Sequence, residues 1–281
     1  METNLSDIDD RELHVDVGAT LRSRMPKKYL RFIPGGVVRW LERTICQDEL
    51  NGILDRTRGK KGAEFCAAVL DDLGITYSVE GTRNLPSDGR VIFVSNHPLG
   101  ALDGIAMIDF IARHYGNNVR FVVNDILMAV KPLDDVFLPI NKHGKQSRTS
   151  AADIDSVLAG DGPVIIFPAG LVSRKQKEGI KDLKWQKMFV NKAIQHKRDI
   201  IPVHFDGHNS SFFYNFAKLR TRLGLKFNIE MIYLPREIFR SRGARFAISV
   251  GEAIPWHSLK GGTKAADEAS GIKEIVYNLK R

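Results

Sequence analysis

From residue 75 onward the chain alternates short apolar runs with longer amphipathic stretches, and this alternation restricts it to an α/β fold. The runs fall at 75–80, 91–95, 119–123, 164–167, 200–205, 227–233 and 246–250, each of strand length. Helical spacing marks 101–114, 149–159, 183–197, 212–222 and 265–280, the last with a stripe of Ile272, Ile275, Val276 and Leu279. The expected architecture is a mixed central sheet with flanking helices.

A helical segment precedes the sheet. Val37, Val38, Leu41 and Ile45 recur on one face of a helix over 36–46, entered through Pro34-Gly35-Gly36, with Arg39, Glu42 and Arg43 opposite. A second helix over 62–73 turns Cys66, Val69, Leu70 and Leu73 inward and ends before Gly74. Residues 1–20 read as an acidic arm. The division drawn from these patterns is a lead-in over 1–78 and an α/β domain over 79–281.

Composition narrows the function classes. Hydrophobic residues make up 43% of 281, enough for a buried core. No apolar run approaches the ~20 residues that span a bilayer, and METNLSDIDDREL lacks the layout of a secretory signal. Cys46 and Cys66, the two cysteines, form no C-x-x-C pair, which fits a reducing cytosol. The net charge of +9 points to an anionic partner. That excess is regional: residues 171–245 hold 17 Lys and Arg against 6 Asp and Glu. A smaller basic cluster over 22–43 includes Tyr29, Phe32 and Trp40 among its apolar neighbours.

The stretch VIFVSNHPLGALDGIAMIDF, residues 91–110, reads as a strand that stops at Asn96-His97 and turns through Pro98 and Gly100 into a helix opening near Asp103. Strand ends of open α/β sheets are where substrates bind, and the positive end of a helix dipole keeps a first-turn aspartate ionised. If Asp103 accepts from one imidazole nitrogen of His97, the other is free to accept a proton from an alcohol or amine. Simple capping by the two side chains stands beside that reading. A second stretch, GPVIIFPAGLVSRKQ over 162–176, breaks at Pro168 and Gly170 and presents Ser173, Arg174 and Lys175. It has the form of an anion-binding turn, or of a solvated basic loop.

Together the two stretches resemble the glycerolphosphate and lysophospholipid acyltransferase superfamily. Its first block is Asn-His-x-x-x-x-Asp and its third Phe-Pro-Glu-Gly-Thr-Arg-Ser. Asn96-His97 with Asp103, and Phe167-Pro168 with Gly170 and Ser173, occupy those blocks. Phe137-Leu138-Pro139-Ile140-Asn141 stands at the second block and Ile201-Pro202-Val203 at the fourth, so the resemblance covers residues 80–210. Three departures stand out. Five residues separate His97 from Asp103 instead of four, Ala169 replaces the usual Glu, and Val172 replaces the Arg associated with acceptor phosphate. A divergent bacterial branch with His-Pro-x-Gly-x-x-Asp-Gly and Phe-Pro-Ala-Gly-x-x-Ser is similar to this chain, and includes lyso-lipid acyltransferases of ornithine- or glycine-type lipid synthesis.

The resemblance implies a glycerolphosphate-acyltransferase-like sheet and direct acyl transfer from acyl carrier protein or coenzyme A to a hydroxyl of a lyso-lipid, an amino-acid lipid ahead of lysophosphatidate. His97 would act as base and Asp103 as its partner, while Asn96, Gly100, Gly170, Ser173, Arg174 and Lys175 would shape the substrate sites. It also implies a cytoplasmic enzyme, peripheral at the inner face of the cell membrane, with neither metal nor cofactor. The residues agree in having no G-x-S-x-G elbow. His204-Phe205-Asp206-Gly207-His208 holds ligand types, but Gly207 and a strand end argue for a wall or turn over a zinc site. Phe212, Phe213, Tyr214 and Phe216 read as core ahead of a base-stacking platform, or with Lys218, Arg220, Arg222 and Lys226 as a lipid contact; the Phe32/Trp40 region and its helix pack on the domain, meet membrane, or both. The rival from another class is a non-enzymatic, basic nucleic-acid-binding protein, supported by charge alone.

Overall fold

A computed structural model describes residues 14–24, 34–124, 128, 130–140, 146–225 and 227–279. Phe32, Asn141 and Lys226, and most of the acidic arm, lie outside the described residues. In chain order the elements are α1 (Val17–Arg24), α2 (Gly35–Thr44), α3 (Gln47–Arg56), α4 (Gly62–Asp72), β1 (Thr76–Glu80), β2 (Val91–Ser95), α5 (Leu102–Tyr115), β3 (Arg120–Asn124), β4 (Phe137–Ile140) and α6 (Gln146–Ala159). They continue with β5 (Val164–Ile166), β6 (Arg174–Gln176), β7 (Gly179–Lys181), α7 (Met188–His196), β8 (Asp199–Asp206), α8 (Ser211–Arg222), α9 (Leu234–Arg240), β9 (Arg245–Val250) and α10 (Ala265–Asn278).

Seven strands form one sheet in the order β1-β9-β8-β2-β5-β3-β4. The pairs from β8 to β4 are parallel, β9 runs antiparallel to β8, and β1 lies parallel to β9, so the sheet is mixed as expected. Alternation along β2 shows why its sequence is apolar throughout. Val91 and Phe93 face one hydrophobic cluster, with Phe65 and Val69 of α4 and Met107 and Ile111 of α5. Ile92 and Val94 face the other, with Leu158 of α6, Phe189 of α7 and Ile272 of α10. Because α4 packs in the same cluster as α5, the core runs across residue 78, and the boundary drawn between 78 and 79 falls inside β1.

Several expectations need correction. Residues 17–20, placed in the arm, open α1, whose entry is held by bonds from Val15 N to Asn51 Oδ1 (2.8 Å) and from Val17 N to Gln47 Oε1 (2.9 Å). The run at 227–233 is not a strand. Ile229–Tyr233 is a 3₁₀ turn leading into α9, because Glu230 is drawn inside to pair with Arg174 and Arg220. The helix expected over 183–197 begins only at Met188, since Trp185 and Gln186 bond to Asp182 and Pro168. On α10 the buried stripe is Ala265, Ala269, Ile272 and Val276, while Ile275 is exposed. The α2 face splits similarly: Val37 and Trp40 are exposed, and Thr44 is buried.

Candidate active site

The site lies where neighbouring parallel strands β2 and β5 end, at the sheet edge where α/β folds hold substrates. Beyond Ser95, the side chain of Asn96 bridges to β8: its Nδ2 donates to Phe205 O at 2.9 Å and its Oδ1 accepts from Phe205 N at 2.8 Å. Asn96 is buried, so its amide fixes the angle at which the chain leaves the sheet. The next residue, His97, is thereby turned over the edge with 15% of its side chain exposed.

His97 Nδ1 lies 2.9 Å from Asp103 Oδ2. An ionised carboxylate only accepts, so Nδ1 carries the hydrogen and Nε2 is left as the acceptor. Asp103, in the first turn of α5, is fully buried and further held by Leu99 N at 2.8 Å, Gly100 N at 3.3 Å and Gly104 N at 2.9 Å. Burial alone would push its carboxyl up, yet the His97 pair and the two loop amides hold it below the usual carboxylate range. For His97, burial works against the charged form, but Asp103 and then Asp182 outweigh it, and its basicity rises above the ordinary imidazole value of 6.5. The imidazole rests against Phe167, ring centroids 4.4 Å apart, and Phe167 in turn meets Phe121 at 5.0 Å.

The turn between His97 and Asp103 absorbs its extra residue through Gly100, whose φ of +89° favours glycine. A Cβ there would also lie 2.8 Å from Val172 Cγ2 and 2.9 Å from Leu234 Cδ1. That contact joins the two motifs, as does the bond from Ser173 N to His97 O at 2.8 Å. Gly170, with φ +62°, closes the second turn by donating from N to Phe167 O at 3.0 Å.

Comparison with known proteins bears on this geometry. The acyltransferase family profile matches residues 21–281. This chain belongs to that acyltransferase family. It is 43% identical over 271 residues to a lyso-glycine lipid O-acyltransferase of Bacteroides thetaiotaomicron, covering 96% of this chain and 99% of that protein. With a lyso-glycine lipid O-acyltransferase of Phocaeicola vulgatus it shares 42% identity over 280 residues, covering 99% and 100%. Among solved structures, the 1-acyl-sn-glycerophosphate acyltransferase PlsC of Thermotoga maritima superposes with a TM-score of 0.46 at 17% identity, covering 81% of this chain and 87% of that one. The protein is therefore an enzyme, and the non-enzymatic nucleic-acid-binding alternative is set aside.

In this acyltransferase the remaining expected site residues divide. Ser173 is buried beside the His97 loop, and its hydroxyl donates to Asp182 Oδ1 at 2.5 Å. Arg174, at the start of β6, turns away from solvent: Nη2 donates to Glu230 Oε1 at 2.8 Å and Nη1 to Val172 O at 2.6 Å, with the guanidinium over the Phe213 ring. Lys175 is exposed on the opposite face of the β6–β7 ribbon. Val172 is buried against Phe213, Tyr214 and Leu234. At the position where the resemblance calls for an acceptor-phosphate Arg, Val172 is thus buried, and the neighbouring Arg174 is already hydrogen-bonded to Glu230 and to Val172 O. His204 packs edge-on to Tyr277, centroids 5.8 Å apart. A cleft of about 420 Å³ lies among Glu80, Arg83, Asn84, Val250 and Leu279 and shares no residue with the His97 loop.

Sequence reasoning missed Asp182. Its fully buried carboxylate accepts from His97 N (3.2 Å), the Ser173 hydroxyl and Trp185 Nε1 (2.9 Å), while its own N donates to Tyr277 Oη at 2.7 Å. Its carboxyl thereby joins both motif turns, and its backbone N ties them to α10. Burial pushes its pKa up against these bonds. Nothing in the run Lys181-Asp182-Leu183-Lys184 announces it, apart from a lone acid beside a tryptophan in basic surroundings. No helix among the described residues is long and apolar enough to cross a membrane.

Proposed function

We propose that this acyltransferase moves a fatty acyl group from a carrier thioester to the hydroxyl of a lyso-amino-acid lipid, with a lyso-glycine lipid as the first acceptor to test. The observation that carries the chemistry is the 2.9 Å contact between His97 and a buried Asp103 already saturated by loop amides. With Nδ1 occupied, Nε2 takes the proton from the acceptor hydroxyl as its oxygen attacks the thioester carbonyl. The carbon–sulfur bond then breaks, and the departing thiolate of acyl carrier protein or coenzyme A recovers the proton from the imidazolium. The reaction written this way draws on no metal or redox cofactor.

Acceptor choice follows from the second turn. An acceptor phosphate calls for an unpaired, bidentate Arg. Here Val172 is buried in an apolar cluster and Arg174 already has its donors engaged, Nη2 by Glu230 and Nη1 by Val172 O, which favours an acceptor without a phosphate at that position. The names of the two relatives, lyso-glycine lipid O-acyltransferases, support the same choice. A lipid acceptor places the enzyme at a membrane surface, and the carrier thioester places it on the cytoplasmic face.

The test is acylation of a panel comprising lyso-glycine lipid, lyso-ornithine lipid and lysophosphatidate, with acyl carrier protein or coenzyme A thioesters as donors and mass spectrometry as readout. Acylation of the amino-acid lipids, lost by about 10²–10⁴-fold in His97→Ala, is the expected result. Preference for lysophosphatidate would overturn the acceptor assignment, and full activity in His97→Ala would overturn the base.

A further inference from the structure

The outer face of α8 carries large exposed apolar side chains. Its inner residues Phe213, Tyr214 and Ala217 are buried, but Phe212, Phe216, Leu219 and Leu223 follow one another at helical spacing on the other side. Phe212 and Phe216 stack at 5.9 Å, and both meet Tyr233 edge-on. After the helix the chain folds back, with Leu225 N bonded to Arg220 O, and continues the patch. Leu223 is 64% exposed and Phe227 83%. Six large exposed apolar residues between 212 and 229 are more than a folded surface ordinarily leaves in one place.

Charge flanks this patch with one sign. The stretch 207–229 carries no carboxylate; Arg220 is paired with the buried Glu230, while Lys218 and Arg222 are exposed. A two-fold contact with a second copy would set this basic stripe against itself without acids to pair. Large apolar side chains beside cations instead match the interface of an anionic bilayer, where rings enter the acyl boundary and cations remain among headgroups.

The patch also has a path to the site. Asn209, preceding α8, donates from Nδ2 to Pro98 O at 3.2 Å, and Ser210 caps the helix by accepting from Phe213 N at 3.2 Å. The inner face of α8 packs on Val172, the residue that touches the Gly100 turn. We infer that α8, together with Leu223, Leu225, Phe227 and Ile229, docks this enzyme onto an anionic lipid surface, so that the acceptor passes from the bilayer to His97 along the α8 side. This inference rests on the lyso-lipid reading above, and it names the surface that serves it.

The test uses the full chain and vesicles of phosphatidylethanolamine with 30% phosphatidylglycerol. Co-sedimentation is measured for wild type, for Leu223→Glu with Phe227→Glu, and for Lys218→Glu with Arg222→Glu. Acylation is measured in parallel on vesicle-embedded lyso-glycine lipid and on a short-chain analogue below its micelle concentration. The apolar pair should weaken vesicle binding more than tenfold, and each reversed cation by at least about fivefold. Activity on the embedded acceptor should fall with binding, while activity on the short-chain analogue stays within about twofold. Unchanged vesicle binding in both variants would overturn the docking surface and leave the acyltransfer reading standing. A wild-type dimer that Phe227→Glu dissociates, with no vesicle binding, would overturn it in favour of a second copy. A raised KM for acyl carrier protein with binding retained would overturn it in favour of the carrier. Patch-dependent vesicle binding without acylation of either acceptor would support the docking surface and sink the substrate assignment.

Discussion

Replacing Asp103 by Asn tests the proposed centre most sharply, because each contact of this carboxylate is with a donor. Oδ2 accepts from His97 Nδ1, Leu99 N and Gly100 N, and Oδ1 from Gly104 N. An amide in the same volume must set its NH₂ against one of these sets. Toward His97, it forces the imidazole to accept at Nδ1 and carry its hydrogen on Nε2, which removes the base. Toward Gly104, it preserves the tautomer but leaves a buried donor unsatisfied at about 1–3 kcal/mol and removes the charge facing the imidazolium. Either way kcat/KM should fall by about 10²–10⁴-fold. The pH profile adds a sign. Only neutral His97 acts as base, so the wild-type rate declines as pH drops through a pKa that Asp103 and Asp182 hold above 6.5. Without Asp103 the lowering effect of burial dominates, and the acid limb moves to lower pH. Stability reports the same pair. The raised His97 contributes fully below 6.5 and loses its contribution as pH rises through its folded value; the lowered Asp103 contributes fully above 3.8 and loses its contribution as pH falls through its own. The gap in Tm between wild type and variant should be widest between those two values. Initial rates from pH 5 to 9 and thermal melts give both readouts. A variant within threefold of wild type, with an unmoved acid limb, would refute the reasoning.

Asp182→Asn places an amide against the His97 amide, the Ser173 hydroxyl and the Trp185 indole, and should cost about 1–3 kcal/mol in urea denaturation. Its kcat/KM should fall less than that of Asp103→Asn, since it holds the backbone of His97 and not the ring. Gly100→Ala meets a positive φ and two contacts below 3.0 Å, so chemical denaturation should show a loss of about 1–3 kcal/mol together with a lower kcat. Lys175→Ala removes an exposed cation from the outer face of the ribbon, and should leave kcat/KM on the short-chain acceptor within about twofold.

What the sequence disclosed and what it hid follow from how far apart the interacting residues lie. The β2–turn–α5 unit was legible because strand, turn glycine and first-turn acid fall within thirteen residues of one another, and periodicity reports such local order directly. Asp182 was not, because only folding back through the β6–β7 ribbon returns it to Ser173 and His97. The Arg174–Glu230 pair spans 56 residues, and Glu230 explains why 227–233 was misread as a strand. Its alternating neighbours imitate a strand, yet burying the carboxylate against two arginines decides the local conformation. Arg174 lies at the second turn as read, but its pairing with Glu230 was invisible in the sequence. On α10, alanines supply half of the buried stripe, so a search for large apolar residues picked Ile275 on the wrong side.

The nucleophile also bears on whether an acyl-enzyme intervenes. A covalent route needs a hydroxyl or thiol that His97 can activate. Ser173 is buried and gives its hydrogen to Asp182, and Ser95 is buried and gives its own to the backbone carbonyl of Asn96. Cys66 is fully buried in the α4–α5 cluster, where burial pushes its thiol up, and Cys46 is shifted the same way for the same reason. With these hydrogens directed elsewhere, the proton that Nε2 takes is best supplied by the acceptor, which makes the reaction a single displacement through a ternary complex. Two measurements address this directly. Intact-mass spectra of enzyme incubated with acyl donor alone should show no acyl adduct, and initial rates should vary with both substrates in the intersecting pattern of a sequential mechanism. An adduct that lyso-lipid discharges, with parallel lines, would transfer the nucleophile to the protein and reduce His97 to activating it.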